Sequence, residues 1–215
     1  IYDIGRPTTP TDGGTVLVLL HGRGSHRGDL QALRPALPDE WTLVTPQAPH
    51  PGHAWGYGPG WAWYRYLGDD QVDQESLEFS LNAVDLFLNE LATLVRFQPG
   101  KIVLGGYSQG AAVIDVVTTS PVAVLGYTAP LPASVVPHVA AVAVFGNPSA
   151  RLGRPLTVLS PDFGARTADL CNTNDPICSR GDDFDSHSRY PQSGLVKLAA
   201  QWITRHVQQP STANS

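Results

Sequence analysis

A serine between two glycines is the residue of this chain whose surroundings best suit chemistry. Residues 106–110 read G-Y-S-Q-G, with Ser108 at the centre. The largely apolar segments 101–104 and 111–114 flank this pentapeptide, and the pattern predicts a strand, a sharp turn and a helix. Such a turn strains the backbone of the serine and exposes its hydroxyl at the end of a sheet. The motif therefore predicts a nucleophilic serine in a hydrolase.

The serine hydroxyl needs a base that accepts its proton, and the base needs a carboxylate that orients it. With this kind of turn, the carboxylate and then the base follow the serine along the chain. The histidines after Ser108 are His138, His187 and His206. His138 precedes every suitable acidic loop and His206 lies on the last predicted helix, so His187 is the predicted base. The alternative for His187 is a solvated histidine in a polar loop.

The predicted orienting carboxylate is Asp175. It follows a late predicted strand at residues 167–170 and precedes Pro176, which stiffens the loop. It also lies between the two cysteines, and a cross-linked loop can hold a carboxylate in a fixed position. The alternative acids, which we interpret as solvated charges near the base, are Asp182, Asp183 and Asp185.

The close spacing of Cys171 and Cys178 predicts a local disulfide across this loop. Closing so short a loop stabilises a fold by about 2–3 kcal/mol in the chain-entropy model. A disulfide indicates an oxidising compartment, so we expect a secreted protein, with two free thiols in a cytoplasmic enzyme as the alternative. A metal site is not expected here, because no second cysteine pair completes a tetrahedral set.

Two backbone N–H groups should bind the negative oxygen that develops when a carbonyl is attacked. Gln109 is predicted to supply one, because it follows the nucleophile and begins a helix. Arg23, in the loop after the first predicted strand, is predicted to supply the other, and Ser25 is its alternative. We interpret His21, at the end of that strand, as a buried structural histidine.

The segment 50–66 is rich in aromatic residues and is predicted to wall an apolar substrate cleft. The predicted cleft residues are Trp55, Trp61, Trp63, Tyr64 and, from the pentapeptide, Tyr107. Packing of the loop on itself is the alternative for part of these rings. No carboxylate accompanies His50 and His53 as a further ligand, so we do not expect them to bind a metal ion. The predicted serine chemistry requires no other cofactor.

Alternating strands and helices would position these residues. Strands are predicted at 15–21, 41–45, 101–107, 139–145 and 167–170, and helices at 29–37, 73–97, 109–118 and 193–207. The helix 73–97 carries an apolar stripe from Leu77 to Val95, a capping Asp73, and a stop at Pro99–Gly100. In the last helix the predicted inward residues are Leu195, Leu198, Ala199, Trp202 and Ile203. The order predicts an α/β fold, a doubly wound parallel sheet with helices on both faces.

The composition indicates one domain and excludes several kinds of partner. The 215 residues are 42% hydrophobic and 15% charged, with a net charge of −5. We predict a catalytic domain at residues 1–207 and a polar tail at 208–215. Without a cluster of Lys and Arg we expect no nucleic acid partner, and no apolar run reaches the ~20 residues of a membrane span. We expect a monomer with a lidless cleft, and we interpret Ile1 as a processed or trimmed start.

From residue 105 onward the chain resembles the actinobacterial cutinases. The segments that carry this resemblance are 105–115, 142–149 and 169–179, followed by a histidine twelve residues after Asp175. The resemblance implies an α/β-hydrolase with catalytic Ser108, Asp175 and His187 and a disulfide between Cys171 and Cys178. It also implies the hydrolysis of short to medium acyl esters, and of polyesters such as cutin.

The first hundred residues are instead similar to the phospholipase/carboxylesterase family, which includes acyl-protein thioesterases. The matching segments are 19–24, 46–49, the Trp-Tyr pair near 63, the long helix, and 100–110. A second disulfide that cutinases usually carry is missing, so we interpret the chain as a mosaic of two families, natural or engineered. We expect a serine carboxylic-ester hydrolase. The alternatives are an acyl-protein thioesterase or lysophospholipase, and a non-catalytic binding protein on a hydrolase frame.

Overall fold

The protein is described here by a computed structural model that covers residues 1–6, 14–68, 71–94 and 101–208. The strands are β1 Tyr2–Gly5, β2 Val16–Leu20, β3 Thr42–Pro46, β4 His50–Pro51, β5 Trp61–Ala62, β6 Tyr66–Gly68, β7 Gln71–Val72, β8 Ile102–Tyr107, β9 Val139–Phe145 and β10 Thr167–Leu170. The α-helices are α1 Gln74–Leu94, α2 Gln109–Thr118, α3 Pro148–Arg151, α4 Leu156–Leu159, α5 Phe184–Ser188 and α6 Leu195–Gln208. Short 3₁₀ helices lie at Asp29–Ala36, Gly52–Trp55, Val136–His138 and Gly164–Arg166.

The central sheet has the strand order β1-β3-β2-β8-β9-β10. All neighbouring pairs are parallel except β1 and β3, which pair antiparallel. The five strands predicted from the sequence are present within one residue of their expected bounds, and the parallel sheet is confirmed. The edge strand β1 was not predicted, because its Asp3 and Gly5 belong to residue types that are depleted in strands.

The sheet separates two apolar cores, so helices cover both of its faces. On one face Val18 and Leu104 pack with residues of α1 and α2. On the other face their neighbours Leu19 and Val103 pack with α6 and with the 3₁₀ helix at Asp29–Ala36. Continuous burial of successive strand residues is the signature of a parallel sheet covered on both sides.

The long helix α1 begins as predicted, after Asp73. The carboxylate Oδ2 of Asp73 accepts a hydrogen bond from the Ser76 backbone N–H at 3.0 Å. Hydrogen bonding by the Ser76 side chain, and then by its backbone N–H, lowers the pKa of Asp73. The predicted stripe is buried at Leu77, Leu81, Val84, Leu88 and Leu91. Val95 and the predicted stop at Pro99–Gly100 lie outside the described residues.

The last helix, α6, differs from its prediction in start and in orientation. It begins at Leu195, and its buried face consists of Val196, Ala199, Ala200, Ile203 and Val207. The prediction that Leu198 faces inward is wrong, since 51% of it is exposed. The buried positions recur every three or four residues, and Leu198 lies off that stripe. The helix reaches Gln208, and the rest of the predicted tail, 209–215, lies outside the described residues. Among the described helices, none combines the length and apolar character that crossing a bilayer requires.

Candidate active site

Ser108 occupies the turn between β8 and α2. Its backbone has φ 55° and ψ −117°, a region that residues with a side chain rarely adopt. The Ser108 N–H donates to the Phe145 carbonyl at 2.8 Å and so ties the turn to the end of β9. Strain of this kind typically costs about 1–3 kcal/mol, and it persists where the surrounding structure enforces it.

The two glycines of the pentapeptide are required by close backbone contacts. A Cβ on Gly106 would lie 2.4 Å from the Gly110 backbone, and a Cβ on Gly110 would lie 2.3 Å from the Leu20 carbonyl oxygen. Both distances are far below van der Waals contact. The spacing G-x-S-x-G is therefore what lets β2, β8 and α2 approach each other at this turn.

Asp175 and His187 form a hydrogen-bonded pair. The Nδ1 of His187 lies 2.8 Å from Oδ2 of Asp175, whose side chain is completely buried. Asp175 accepts two further hydrogen bonds, from the Ile177 backbone N–H at 2.8 Å and from the Tyr190 hydroxyl at 2.6 Å. Because a carboxylate oxygen accepts, the proton of a neutral His187 lies on Nδ1, and Nε2 keeps its lone pair.

Contacts with Tyr107 and Gly146 hold the imidazole beside the serine turn. The ring of Tyr107, next to Ser108 in the chain, stacks on His187 with centroids 4.8 Å apart. The Tyr107 hydroxyl donates to the His187 carbonyl at 2.7 Å, and burial raises the pKa of that hydroxyl. Gly146 has φ 60°, and a Cβ there would lie 2.6 Å from Cε1 of His187. His187 therefore packs over the end of β9, to which Ser108 is also bonded.

The loop that carries Asp175 is cross-linked as predicted, by a disulfide between Cys171 and Cys178. Its Asn172 joins it to α5, because Nδ2 donates to the Ser186 carbonyl at 2.7 Å. The Asn172 backbone N–H also donates to the Tyr190 hydroxyl at 3.1 Å. Both sulfurs lie within 4.8 Å of an Asp175 oxygen, but a disulfide offers no thiolate to a metal ion.

The loop after β2 approaches the serine from the other side. A Cβ on Gly22 would lie 3.3 Å from Cβ of Ser108, so the next residue, Arg23, is close to the turn. Arg23 lines the same cavity as Ser108. The alternative, Ser25, is engaged elsewhere, because its hydroxyl donates to Asp29 at 2.5 Å and its backbone pairs with Trp61.

His21 and Gln109 fix the surroundings of the turn. The Nε2 of His21 accepts from the Ala48 backbone N–H at 3.0 Å, and burial lowers the pKa of His21 to about 4. The Gln109 side chain accepts from the Trp63 backbone N–H and donates to the Tyr64 carbonyl, each at 2.8 Å. The segment before β6 is thereby tied to the residue that follows Ser108, a role of Gln109 that its sequence position did not indicate.

A cavity of about 540 Å³ opens beside Ser108. Its lining residues are Arg23, Tyr64, Tyr66, Ser108, Gln109, Ala112, Leu125, Pro148, Ser149, Arg151, Leu152 and Ile177. Of the predicted aromatic cleft residues, Tyr64 is in this lining and Tyr107 lies under His187. Trp63 is buried and donates its indole N–H to the His21 carbonyl at 2.8 Å. Trp61 lines a different cavity, and Trp55 packs on His50 and Tyr57.

The remaining candidate histidines and acids lie in other settings. His138 lies at the amino ends of the parallel strands, just before β9, whereas Ser108 lies at their carboxyl ends, just after β8. His206 faces the Trp202 carbonyl on its own helix, at 3.0 Å. Asp183 caps α5, and Asp185 pairs with Arg189 on the surface. Asp182 and His53 are exposed, and Nε2 of His50 lies 3.0 Å from the Ser76 carbonyl oxygen.

Two carboxyl groups, buried Asp115 and half-buried Asp169, are joined by Asn147, which precedes the cavity residues Pro148 and Ser149. The Nδ2 of Asn147 donates to Oδ1 of Asp115 on α2 and to Oδ2 of Asp169 on β10, each at 3.1 Å. Among the described residues, the second oxygen of each carboxyl has no partner at hydrogen-bonding geometry, although the Ser149 side chain is near enough to Asp115 to influence its pKa. Burial raises the pKa of Asp115 to about 8 and raises that of Asp169 as well. The apolar pattern around Asp115 gave no sign of such a contact.

Comparisons with known proteins match two family models to overlapping parts of this chain. The model described as cutinase matches residues 83–207, and the model described as phospholipase/carboxylesterase matches residues 8–130. Each match covers more than half of the chain, and the two overlap at the serine turn.

Curated relatives come from mycobacteria. The chain is 49% identical over 107 residues to phospholipase Culp4 of Mycobacterium tuberculosis. This alignment covers 50% of this chain and 47% of Culp4. It is 36% identical over 153 residues to probable carboxylesterase Culp2 of Mycobacterium bovis. This alignment covers 67% of this chain and 63% of Culp2. The chain thus spans about half the length of Culp4.

Solved structures with less than a quarter of their residues identical share the fold. An acetylxylan esterase has a TM-score of 0.65 at 20% identity, covering 92% of this chain and 100% of that chain. The Bacillus cereus carboxylesterase has a TM-score of 0.59 at 19% identity, and the match covers 95% of this chain and 93% of that enzyme. The Zea mays acyl-protein thioesterase 2 has a TM-score of 0.52 at 18% identity, covering 93% and 86%. The fold is accordingly that of the α/β-hydrolases.

Proposed function

The chain belongs to the cutinase family in its C-terminal part and to the phospholipase/carboxylesterase family in its N-terminal part, and on that premise we propose that it hydrolyses carboxylic esters with Ser108 as nucleophile. The observation that carries this proposal is the bond between Asp175 and His187, held beside the strained serine turn. The names of the mycobacterial relatives, carboxylesterase and phospholipase, support the same reaction class.

In the proposed reaction the Ser108 hydroxyl attacks the ester carbonyl and loses its proton to Nε2 of His187. The imidazolium then protonates the leaving alcohol, and buried Asp175 stabilises its positive charge. Water attacks the acyl-enzyme in the second half of the cycle, activated by the same histidine, and the acid is released. This division of roles is supported by the bond of Nδ1 to Asp175, which leaves the lone pair of a neutral His187 on Nε2.

The backbone N–H groups of Gln109 and Arg23 are the proposed donors to the developing oxyanion. Gln109 begins α2, so its N–H has no acceptor within the helix and points along the positive end of the helix dipole. Arg23 follows Gly22, which contacts the serine turn. The hydroxyl of Ser25 is bonded to Asp29, which favours Arg23 over the alternative.

Short to medium acyl esters are the proposed substrates, with polyesters as a further class. The cavity offers apolar wall residues at Ala112, Leu125, Leu152 and Ile177, and Ser108 is partly exposed, which supports an open cleft without a lid. We propose that the protein is secreted, since the disulfide between Cys171 and Cys178 is compatible with an oxidising compartment. We also propose that it is a monomer.

The direct test replaces the proposed nucleophile. Ser108→Ala is expected to lower p-nitrophenyl butyrate turnover by about 10⁴-fold or more and to abolish labelling by a fluorophosphonate probe. The matched control is Ser134→Ala, an exposed serine outside the cavity, which should retain wild-type turnover and labelling. Retention of activity in Ser108→Ala would exclude the proposed mechanism. Wild-type protein that neither turns over esters nor takes the label would favour a binding protein on a hydrolase frame.

A second candidate function is the hydrolysis of acyl thioesters or lysophospholipids. The match of residues 8–130 to the phospholipase/carboxylesterase model favours it, because those residues supply Arg23, Tyr64 and Tyr66 to the cavity. Comparing kcat/KM for a butyryl thioester with that for the matching oxygen ester separates the two. A preference for the thioester would make this second function the better description.

A further inference from the structure

The cavity beside Ser108 is positively charged although the chain as a whole carries a net charge of −5. Among the described residues that line it, Arg23 and Arg151 are cationic and none is acidic. In the described part of the chain, neither arginine belongs to an ion pair. Their positive charge is therefore available to a molecule that enters the cavity.

Arg23 is held in place by aromatic rings rather than by a carboxylate. Its guanidinium carbon lies 4.8 Å from the ring centroid of Tyr57 and 5.4 Å from that of Tyr66. The Tyr57 hydroxyl in turn accepts the Tyr66 backbone N–H at 2.8 Å, so the two rings form a fixed platform. Cation–π contacts use the face of the guanidinium and leave its N–H donors in the plane free for an anion.

Arg151 lies on a different wall of the cavity, at the end of α3. Its Nη1 donates to the Pro176 carbonyl at 2.8 Å, which holds the side chain against the loop that carries Asp175. A single hydrogen bond to a neutral carbonyl does not compensate the positive charge of Arg151, and it uses only one of the five guanidinium N–H donors. The two arginines thus come from separate parts of the chain and share one solvent-accessible space with Ser108.

We propose that Arg23 and Arg151 form a subsite for an oxyanion, so that the preferred substrates are esters that also carry a carboxylate or a phosphate. The inference rests on the proposed ester hydrolysis at Ser108 and specifies its substrate class. Guanidinium groups bind carboxylate and phosphate oxygens with charge-assisted hydrogen bonds, whereas a neutral ester leaves both cations without a partner. Apolar Leu125, Leu152 and Ile177 accommodate the hydrocarbon part of such a molecule.

The test compares esters that differ in one charge. On the acyl side, p-nitrophenyl hydrogen adipate is compared with p-nitrophenyl methyl adipate. On the alcohol side, 1-butyrylglycerol 3-phosphate is compared with 1-butyrylglycerol. In at least one pair, wild-type kcat/KM is expected to be about tenfold higher for the acidic member, the size of one charge-assisted hydrogen bond. The pair that shows the preference tells whether the anion belongs to the acyl or to the alcohol part.

Arginine variants show whether the two side chains cause the preference. Arg23→Gln and Arg151→Gln are each expected to lower the acidic-to-neutral ratio severalfold, and the double variant to bring it close to one. Arg154→Gln is the matched control, because this exposed arginine lies three positions from Arg151 and outside the cavity lining. It should leave the ratio and the neutral-ester rate as in wild type. Raising NaCl to about 0.5 M should lower the wild-type ratio through screening.

Two results would overturn the subsite. One is a wild-type ratio of one or less in both pairs. The other is an equal loss for acidic and neutral esters in the arginine variants, which would mean that the arginines act on the reacting carbonyl instead. If neutral esters turn over and the fluorophosphonate labels Ser108 while the ratio is one, the subsite fails and the proposed function stands. Absence of both labelling and turnover overturns the two together.

Discussion

Asp175 uses a single oxygen, Oδ2, to accept hydrogen bonds from both His187 and Tyr190. A completely buried carboxylate keeps its charge only if enough donors replace the lost water, and the Tyr190 hydroxyl is one of three on this group. Burial, and then the hydrogen bond to Asp175, raise the pKa of Tyr190, so its hydroxyl remains protonated and can donate throughout the working pH range. Tyr190 is thus a positioning residue for the proposed acid–base pair.

Removing that hydroxyl should impair the proposed chemistry more than substrate binding. Tyr190→Phe keeps the ring, which packs edge-on against Tyr107 and Phe145, but removes one donor from Asp175. We expect kcat to fall by about tenfold, since one hydrogen bond to a charged group is lost, with KM little changed. Steady-state kinetics over pH 5–9 check this, with Tyr2→Phe on the distant edge strand as control. A lower melting temperature with unchanged kcat would reduce Tyr190 to a structural role.

Sequence motifs predicted the residues that we propose to react, but not those that hold them in place. Ser108 has a pentapeptide around it, and Asp175 and His187 have a chain order and a cysteine frame. Tyr190 and Asn172 have no such signature, because their roles depend on contacts of the Asp175 loop with α5 and with the residues after it, which only the folded chain defines. The aromatic segment was misleading for the same reason: aromatic composition does not tell which rings face the cavity and which, like Trp63, are buried.

The elements that carry the site differ in how well the sequence predicts them. Buried strands such as β9 and the helix α2 show long apolar runs between clear stops, and their bounds match the structure. The hairpin strands between residues 50 and 72 are two or three residues long, too short for a periodic pattern. Such strands form because a partner segment lies beside them, which is information that local sequence does not hold.

At the scale of elements, the disulfide should stabilise both the fold and the loop that carries Asp175. Replacing both Cys171 and Cys178 with Ser should lower the free energy of unfolding by about 2–3 kcal/mol, as expected for a loop of this length. Urea unfolding measures this change. The double variant also avoids leaving one reactive thiol.

The same variant separates stability from positioning of Asp175. Measured well below its unfolding midpoint, it should show a reduced kcat, because the loop is then held by hydrogen bonds such as those of Asn172 alone. A kcat equal to wild type would mean that these bonds are sufficient and that the disulfide acts on stability only. The control is the double variant Ser134→Ala and Asp39→Asn, which changes two exposed residues and should leave both kcat and the free energy of unfolding unchanged.

At the scale of the whole molecule, the carboxyl groups of Asp115 and Asp169 join several elements of the fold. Asp115 belongs to α2, Asp169 to β10, and Asn147 lies between β9 and α3, whose residues form a wall of the cavity. The Leu156 backbone N–H also donates to Asp169 at 2.8 Å, so α4 is tied to the same group. A change of charge here would affect the packing of the sheet and the helices together.

The raised pKa of Asp115 makes stability depend on pH in a defined window. In the unfolded chain this carboxyl ionises near its ordinary pKa of 3.8, whereas in the folded protein it does so at about 8. Between these values the folded state binds more protons than the unfolded state, so stability falls as pH rises. Below the lower value the contribution of the group is fully present, and above the upper value it is lost.

Asp115→Asn should remove this dependence while preserving the shape of the side chain. The amide carbonyl can still accept from Nδ2 of Asn147, and it cannot ionise. We expect the melting temperature of the variant to be similar to wild type near pH 4 and higher at pH 8, with the difference growing steadily between them. Thermal unfolding by circular dichroism across that range measures it, with Asp39→Asn, an exposed carboxyl, as control. A difference that stays constant with pH would show that Asp115 is not held neutral in the folded protein, because only a proton gained on folding produces the slope.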